Sequence, residues 1–228
     1  MRLLFWDIDG TLIRTYQAGL YAFRQAVEEI WGKSVDFGEI RTAGMTDNFI
    51  SRQVVQAIVK REPAGEEIEA LCRRYESFLP EQLAARNGLV LPGVQSILAK
   101  LCGRDDYRLL LLTGNSKTGA QIKLDYFGLA KYFDFSCSAF AEQYEDRDEI
   151  ARNAREIVRT HWGYCPAHQV YVIGDTPHDI RCGKTIGAYT IGIATGGYSL
   201  AELSSCSPWW SVETLPAAER FITKISQK

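Results

Sequence analysis

The chain has 228 residues, 46% of them hydrophobic, enough for one sizeable domain with a small appendage. Its formal net charge of -2 gives no sign of a nucleic-acid partner, and no apolar stretch approaches the length of a membrane span. Met1-Arg2 runs into an apolar segment without a signal peptide's cleavage site, so a cytoplasmic protein is expected.

The first element reads as a buried strand, Leu3-Leu4-Phe5-Trp6, that ends on Asp7-Ile8-Asp9-Gly10-Thr11. Buried strands do not normally finish on two carboxylates. Side chains two apart share a side of a strand, so Asp7 and Asp9 face one volume, and Gly10 lets the backbone turn around it. The alternative is a plain turn in which Asp9 caps the next helix.

From about Thr15 to Val90 the strand signal vanishes. Leu20, Phe23, Ala26, Val27 and Ile30 recur at helical spacing, Ala43-Gly44-Met45-Thr46-Asp47 forms a loop, and Phe49-Ile50, Val54-Val55 and Ile58-Val59 resume the pattern. Pro92-Gly93 marks the end of this helical insertion. Leu109-Leu110-Leu111-Leu112 is a second buried strand, opening through Thr113-Gly114-Asn115-Ser116 into a helix whose free N–H groups suit a phosphate. Thr113 and Asn115 would serve equally as simple caps.

Further strands are expected near Tyr132 to Cys137, Val170 to Gly174 and Thr190 to Ile193. Asp146-Arg147-Asp148-Glu149 opens the helical pattern Ile150, Ala154, Ile157, Val158, where its acids suit the helix N-terminus. Val170-Tyr171-Val172-Ile173-Gly174 is a third strand ending on an acid, Asp175, with Asp179 four residues on. Trp209-Trp210-Ser211-Val212 reads as a short edge strand packed on the sheet, and Pro216 to Ile225 as a closing helix. Apolar strands alternating with amphipathic helices give an α/β fold, a doubly wound, mostly parallel, Rossmann-like sheet covered on both faces. Ligands of such sheets bind beyond the carboxyl ends of the strands, where these polar residues fall.

The cysteines at 72, 102, 137, 165, 182 and 206 have no metal-ligand spacing and read as reduced thiols. Of the histidines only His178 lies in a motif, where a role outside the chemistry is expected.

Taken together, the motifs resemble the haloacid dehalogenase superfamily of phosphohydrolases, in particular its phosphoglycolate-phosphatase-like members. Asp7-Ile8-Asp9-Gly10-Thr11 is similar to their first motif, Thr113-Gly114-Asn115 to the second, and Gly174-Asp175-Thr176-Pro177-His178-Asp179 to the fourth. The third usually holds a lysine, and Arg147 stands at the matching distance before Gly174, with Lys117 and Lys123 as the next residues to consider. The resemblance implies a core of residues 1–14 and 91–228 and a small α-helical cap of residues 15–90. It places the first strand between the second and fourth.

It also implies a Mg²⁺-dependent phosphatase acting on a small phosphomonoester, phosphoglycolate-like or a sugar phosphate, through an aspartyl-phosphate. Asp7 would be the nucleophile and Asp9 the general acid and base. Thr113, Gly114, Asn115 and Arg147 would hold the phosphate, and Asp7, the carbonyl of Asp9 and Asp175 would bind the metal, with Asp179 beside it or bound through water. Arg14, Tyr16, Gln17, Arg41, Thr46 and Asp47 are the cap-side residues in reach of a substrate. Rival functions are a phosphosugar mutase, a phosphonate hydrolase using Lys33 or Lys60, a dehalogenase, and a non-catalytic binding protein on the same scaffold. Oligomeric state is left open by the sequence.

Overall fold

A computed structural model describes residues 1–163 and 166–227. In chain order it contains β1 (Arg2–Trp6), β2 (Ile13–Arg14), α1 (Ala18–Trp31), α2 (Asp47–Val59), α3 (Gly65–Ala85), β3 (Leu89–Val90), α4 (Val94–Leu101), β4 (Tyr107–Leu111), α5 (Lys117–Tyr126), α6 (Arg147–Trp162), β5 (Val170–Gly174), α7 (Pro177–Thr185), β6 (Tyr189–Ile193), α8 (Leu200–Ser205), β7 (Trp210–Val212) and α9 (Ala218–Ser226).

Five strands form one parallel sheet in the order β4-β1-β5-β6-β7. Its inner strands are mostly apolar because both faces are covered, and the period of two sorts their side chains. Leu4, Trp6, Leu109, Leu111, Tyr171 and Ile173 enter one hydrophobic cluster, which α4 and α9 complete. Leu3, Phe5, Leu110, Leu112, Val170 and Val172 enter the other, against α6. Cutting one of these fully buried side chains back to alanine costs ~2–5 kcal/mol. In register, Trp6 lies between Leu111 and Ile173, so the residues that follow all three strands emerge side by side. The site is built there.

Helices α1, α2 and α3 do not touch the sheet's faces. They bury a third cluster, including Phe23, Val27, Val54, Leu71 and Leu79. A two-stranded antiparallel ribbon, β2 with β3, joins the chain entering these helices to the chain leaving them. Leu89–Val90 is therefore a strand inside a stretch with no strand pattern, too short to show a period.

The expected strand at Tyr132–Cys137 is absent. The Asp134 carboxylate accepts from the Ser136 and Cys137 N–H groups at 2.9 and 3.3 Å, which turns the chain and removes those donors from any ladder. Sheet-like pairing appears only later, as a single bridge between Leu112 and Ala139. Phe133 and Phe135 still pack on the core, so their apolar spacing comes from a packed turn. The edge strand at Trp210–Val212 is present, with Trp209 stacked on Tyr189 at 5.0 Å between centroids. Cys72, Cys102, Cys137, Cys182 and Cys206 are free thiols; Cys165 lies outside the described residues. Among the described residues, no helix is long and apolar enough to cross a membrane.

Candidate active site

Asp7 follows the last residue of β1 and is buried, its N–H donating to the Ile173 carbonyl at 2.9 Å. Its neighbours come from other strand ends. Asp175 follows β5 and accepts from Thr11 Oγ1 at 2.8 Å. Asp179 sits in the first turn of α7, where Thr176 N and Oγ1 donate to it at 2.9 and 2.7 Å. One oxygen from each of Asp7, Asp175 and Asp179 falls within 4.8 Å of the others.

Gly10 is needed for this approach. It adopts φ +86°, and a β-carbon there would strike the Asp175 carboxylate.

Arg147 is the first residue of α6, capped by the Asp146 side chain, which accepts from Asp148 N. That start point throws the guanidinium inward, where it is buried. Its Nη2 donates to Asp7 Oδ1 at 3.2 Å and to Asp179 Oδ1. The Nε of Arg147 is buried without a hydrogen-bond partner among the described residues.

Three carboxylates face one guanidinium, and the balance shows in their protonation. Burial, and then the charges of Asp179 and Asp9, push the Asp7 carboxyl up to about 7 against the pull of Arg147. Burial with the charges of Asp179 and Asp7 raises Asp175 well above the usual carboxylate range. Burial alone would lower Arg147, but Asp179 and Asp7 outweigh it and raise it. Such a set of hard oxygen donors with excess negative charge suits a divalent cation.

Asp9 belongs to a second group. Its side chain is 39% exposed, and its Oδ2 accepts from Lys123 Nζ at 2.6 Å and Asn115 Nδ2 at 3.0 Å. Lys123 Nζ also donates to Asn115 Oδ1 at 2.6 Å, and Asn115 Nδ2 to Thr113 Oγ1 at 2.8 Å. Asp9, Thr113, Asn115 and Lys123 thus form one hydrogen-bonded chain. Burial would lower the Lys123 ammonium, but Asp9 and Asp47 raise it, so it stays charged.

The first turn of α2 docks on this group. Asp47 N donates to the Gly114 carbonyl at 2.7 Å, and Ser116 N donates to Asp47 Oδ2 at 2.9 Å. A β-carbon on Gly114 would strike the Met45 carbonyl, so glycine permits the close approach. Burial raises Asp47 to about 6 despite Lys123 and the Ser116 hydrogen bond.

Both groups open into one cavity of about 610 Å³. Asp7, Asp9, Gly114, Asn115, Arg147 and Asp175 line it, whereas Thr113 and Asp179 lie just behind. Of the cap-side residues, Arg14, Tyr16, Gln17 and Asp47 reach it. Tyr16 and Gln17 hold φ of 47° and 67° in succession, a strained pair of non-glycine residues at the cavity wall. Arg41 instead donates to His178 Nε2 at 3.1 Å, and Thr46 caps α2 by accepting from Phe49 N. Lys117 is exposed at the start of α5. Lys33 donates to the Ile58 carbonyl and Lys60 is the exposed end of α2; neither lines the cavity.

Lys123 is the site residue least visible in the sequence. Its signal is positional: with Ala120 and Leu124 it occupies the buried stripe of α5, where a lysine is out of place.

A parallel sheet whose central strand ends carry these carboxylates defines an α/β protein with its site at the strand ends. Residues 4–193 match the model of the haloacid dehalogenase-like hydrolases, and the chain belongs to that family. "Probable phosphatase IndB" of Dickeya dadantii is 28% identical over 214 residues, 93% of this chain and 89% of that protein. A phosphoglycolate phosphatase of Vibrio cholerae is 24% identical over 204 residues, covering 89% and 88%. A haloacid dehalogenase-type hydrolase of Entamoeba histolytica superposes with a TM-score of 0.74 at 18% identity, covering 100% of both chains, which shows the fold.

Proposed function

We propose that this chain is a phosphatase that hydrolyses a small phosphomonoester through a covalent phosphoryl group on Asp7. The observation that supports it most is the placement of Asp7: a buried carboxylate on the cavity floor, paired with Arg147 and gathered with Asp175 and Asp179. Asp7 would attack phosphorus as the bond to the alcohol oxygen breaks, and Asp9 would give that oxygen its proton. Water would then attack the phosphoryl group, Asp9 taking the proton, to release inorganic phosphate and restore Asp7.

Thr113, the backbone at Gly114, Asn115 and Arg147 would hold the phosphoryl oxygens. Arg147 serves two needs there: it holds Asp7 and Asp179 in place, and its planar fork directs donors at the phosphate. Asp7, the Asp9 carbonyl and Asp175 would bind Mg²⁺, with Asp179 adjacent; the ion would offset the repulsion between nucleophile and phosphate. We take residues 15–90 as the unit that covers the cavity and excludes water.

The names of the relatives, probable phosphatase and phosphoglycolate phosphatase, favour the same reading. Its test is release of inorganic phosphate from p-nitrophenyl phosphate with Mg²⁺, lost in excess chelator and restored by added metal. Undiminished release in chelator would remove the metal from the mechanism, and no release under any condition would remove the phosphatase.

A further inference from the structure

Beyond Asp9 the cavity changes character. Leu20, Phe23, Ile50 and Tyr75 line it there, all from α1, α2 and α3. The rings of Phe23 and Tyr75 stack with centroids 4.0 Å apart. On the proposed mechanism the alcohol part of the substrate lies on this side, because Asp9 must reach its oxygen.

Two features restrict what it can be. The first is charge. Asp9 and Asp47 border this chamber, with Glu76 held behind them by Ser116 Oγ at 2.6 Å. The ammonium among them, Lys123, is already bound by Asp9 and Asn115. Arg14, the other cavity cation apart from Arg147, is engaged by the Thr195 carbonyl, to which it donates at 2.7 Å.

The second feature is an unused donor at the cavity surface. Tyr75 is 1% exposed and lines the cavity. Its Oη faces Gly19, where a β-carbon would lie 3.6 Å away, and no protein group among the described residues hydrogen-bonds to it. Burial, then the charges of Asp47 and Asp9, hold the phenol protonated. A hydroxyl that reaches the cavity and has no protein partner is free to donate to a ligand that supplies an acceptor.

Resting on the phosphatase reading, we infer that this chamber selects phosphomonoesters of uncharged, hydroxyl-bearing alcohols, with Tyr75 Oη donating to a substrate hydroxyl, and rejects alcohols that carry a carboxylate. A sugar-like or polyol phosphate meets both conditions: its carbon face packs on the aromatic pair while a hydroxyl accepts from Tyr75. Phosphoglycolate and phosphoglycerate bring a second anion towards Asp9 and Asp47.

The test compares kcat/KM for glycerol 3-phosphate, 3-phosphoglycerate and n-propyl phosphate in the wild type, Tyr75→Phe and Asp47→Asn. Glycerol 3-phosphate and 3-phosphoglycerate differ mainly by an alcohol against a carboxylate, and propyl phosphate lacks the free hydroxyls. The wild type should favour glycerol 3-phosphate over 3-phosphoglycerate by about tenfold or more. Tyr75→Phe, which keeps the stacked ring, should cost glycerol 3-phosphate roughly fivefold or more, chiefly through KM, and propyl phosphate much less. Asp47→Asn should narrow the preference against the carboxylate.

Equal or better turnover of 3-phosphoglycerate would overturn the inference, as would a Tyr75→Phe loss that is the same for both neutral esters. A carboxylate preference that disappears in Arg14→Ala would show that Arg14 sets specificity instead. If p-nitrophenyl phosphate is hydrolysed but these patterns fail, only the chamber is misread. If no phosphomonoester is hydrolysed, the phosphatase reading falls and this inference with it.

Discussion

Two cations organise the cavity, and they are built differently. Arg147 is sealed: it is buried against Asp7 and Asp179, where its planar fork binds in fixed directions. Lys123 is buried too, but its partner Asp9 is 39% exposed, and its other neighbours are Asn115 and Asp47, the latter on α2. The inner group therefore fixes a geometry, as the proposed nucleophile and metal ligands would require. On the proposed mechanism the outer group would join catalysis to the region that contacts the alcohol. Rigidity is concentrated where phosphorus would react, and adaptable contact where substrates differ.

The sharpest way to break this contrast is to remove each cation in turn. Arg147→Ala should lower phosphatase activity by roughly two to three orders of magnitude, the scale of losing one transition-state donor, with Arg147→Lys recovering part of it. Arg152→Ala, on the same helix, is the control. Steady-state kinetics showing both alanine variants near wild type would end the assignment of Arg147.

The inner group's excess charge has a measurable consequence in metal-free protein. Asp7 is raised from 3.8 to about 7 in the folded state, and Asp175 is raised in the same direction. A carboxyl raised by folding holds its proton more tightly in the native state, so its stabilising contribution is complete below about 4 and is lost as pH climbs to about 7. Thermal unfolding in chelator should show stability falling across that window, by a few kilocalories per mole at most. Saturating Mg²⁺ should flatten the profile, as should Asp175→Asn. A flat profile in chelator would mean the three carboxylates are already balanced.

Lys123→Met should do less than Arg147→Ala, about tenfold on an alkyl phosphate, because Asn115 still holds Asp9. The loss should be smaller on p-nitrophenyl phosphate, whose leaving group hardly needs Asp9's proton. Equal losses on both would place Lys123 in the phosphate site and erase the distinction drawn here. The smallest change is expected outside both groups. Arg52 pairs with Glu145 at 2.6 Å across the seam between α2 and the core, yet both side chains are about a third exposed. Arg52→Ala should cost less than about 1 kcal/mol in chemical denaturation.

How much of this was legible beforehand follows the same division. Asp7, Thr113 and Asp175 announce themselves because each breaks an apolar run that should have ended in ordinary turn residues. Parallel pairing then brings them together whatever their separation in sequence. Arg147 needed the family resemblance, since a charged cluster at a helix start looks like simple capping. Lys123 and Tyr75 were harder still: each sits in a helix of mixed composition, and its burial depends on which helix lies opposite. Local pattern carries no record of that. The strand expected at Tyr132–Cys137 failed for a related reason, because one side chain, Asp134, captured the backbone donors a strand would have used.

Everything proposed for the cavity depends on Asp7 becoming phosphorylated. The most direct measurement is rapid acid quench of the enzyme during turnover, followed by mass spectrometry of its peptides. A phosphoryl group on the peptide containing Asp7, removed by hydroxylamine and absent from folded Asp7→Asn, which should also have lost turnover, is the expected result. Wild-type turnover in Asp7→Asn, or a phosphoryl group found equally in that variant, would contradict the account.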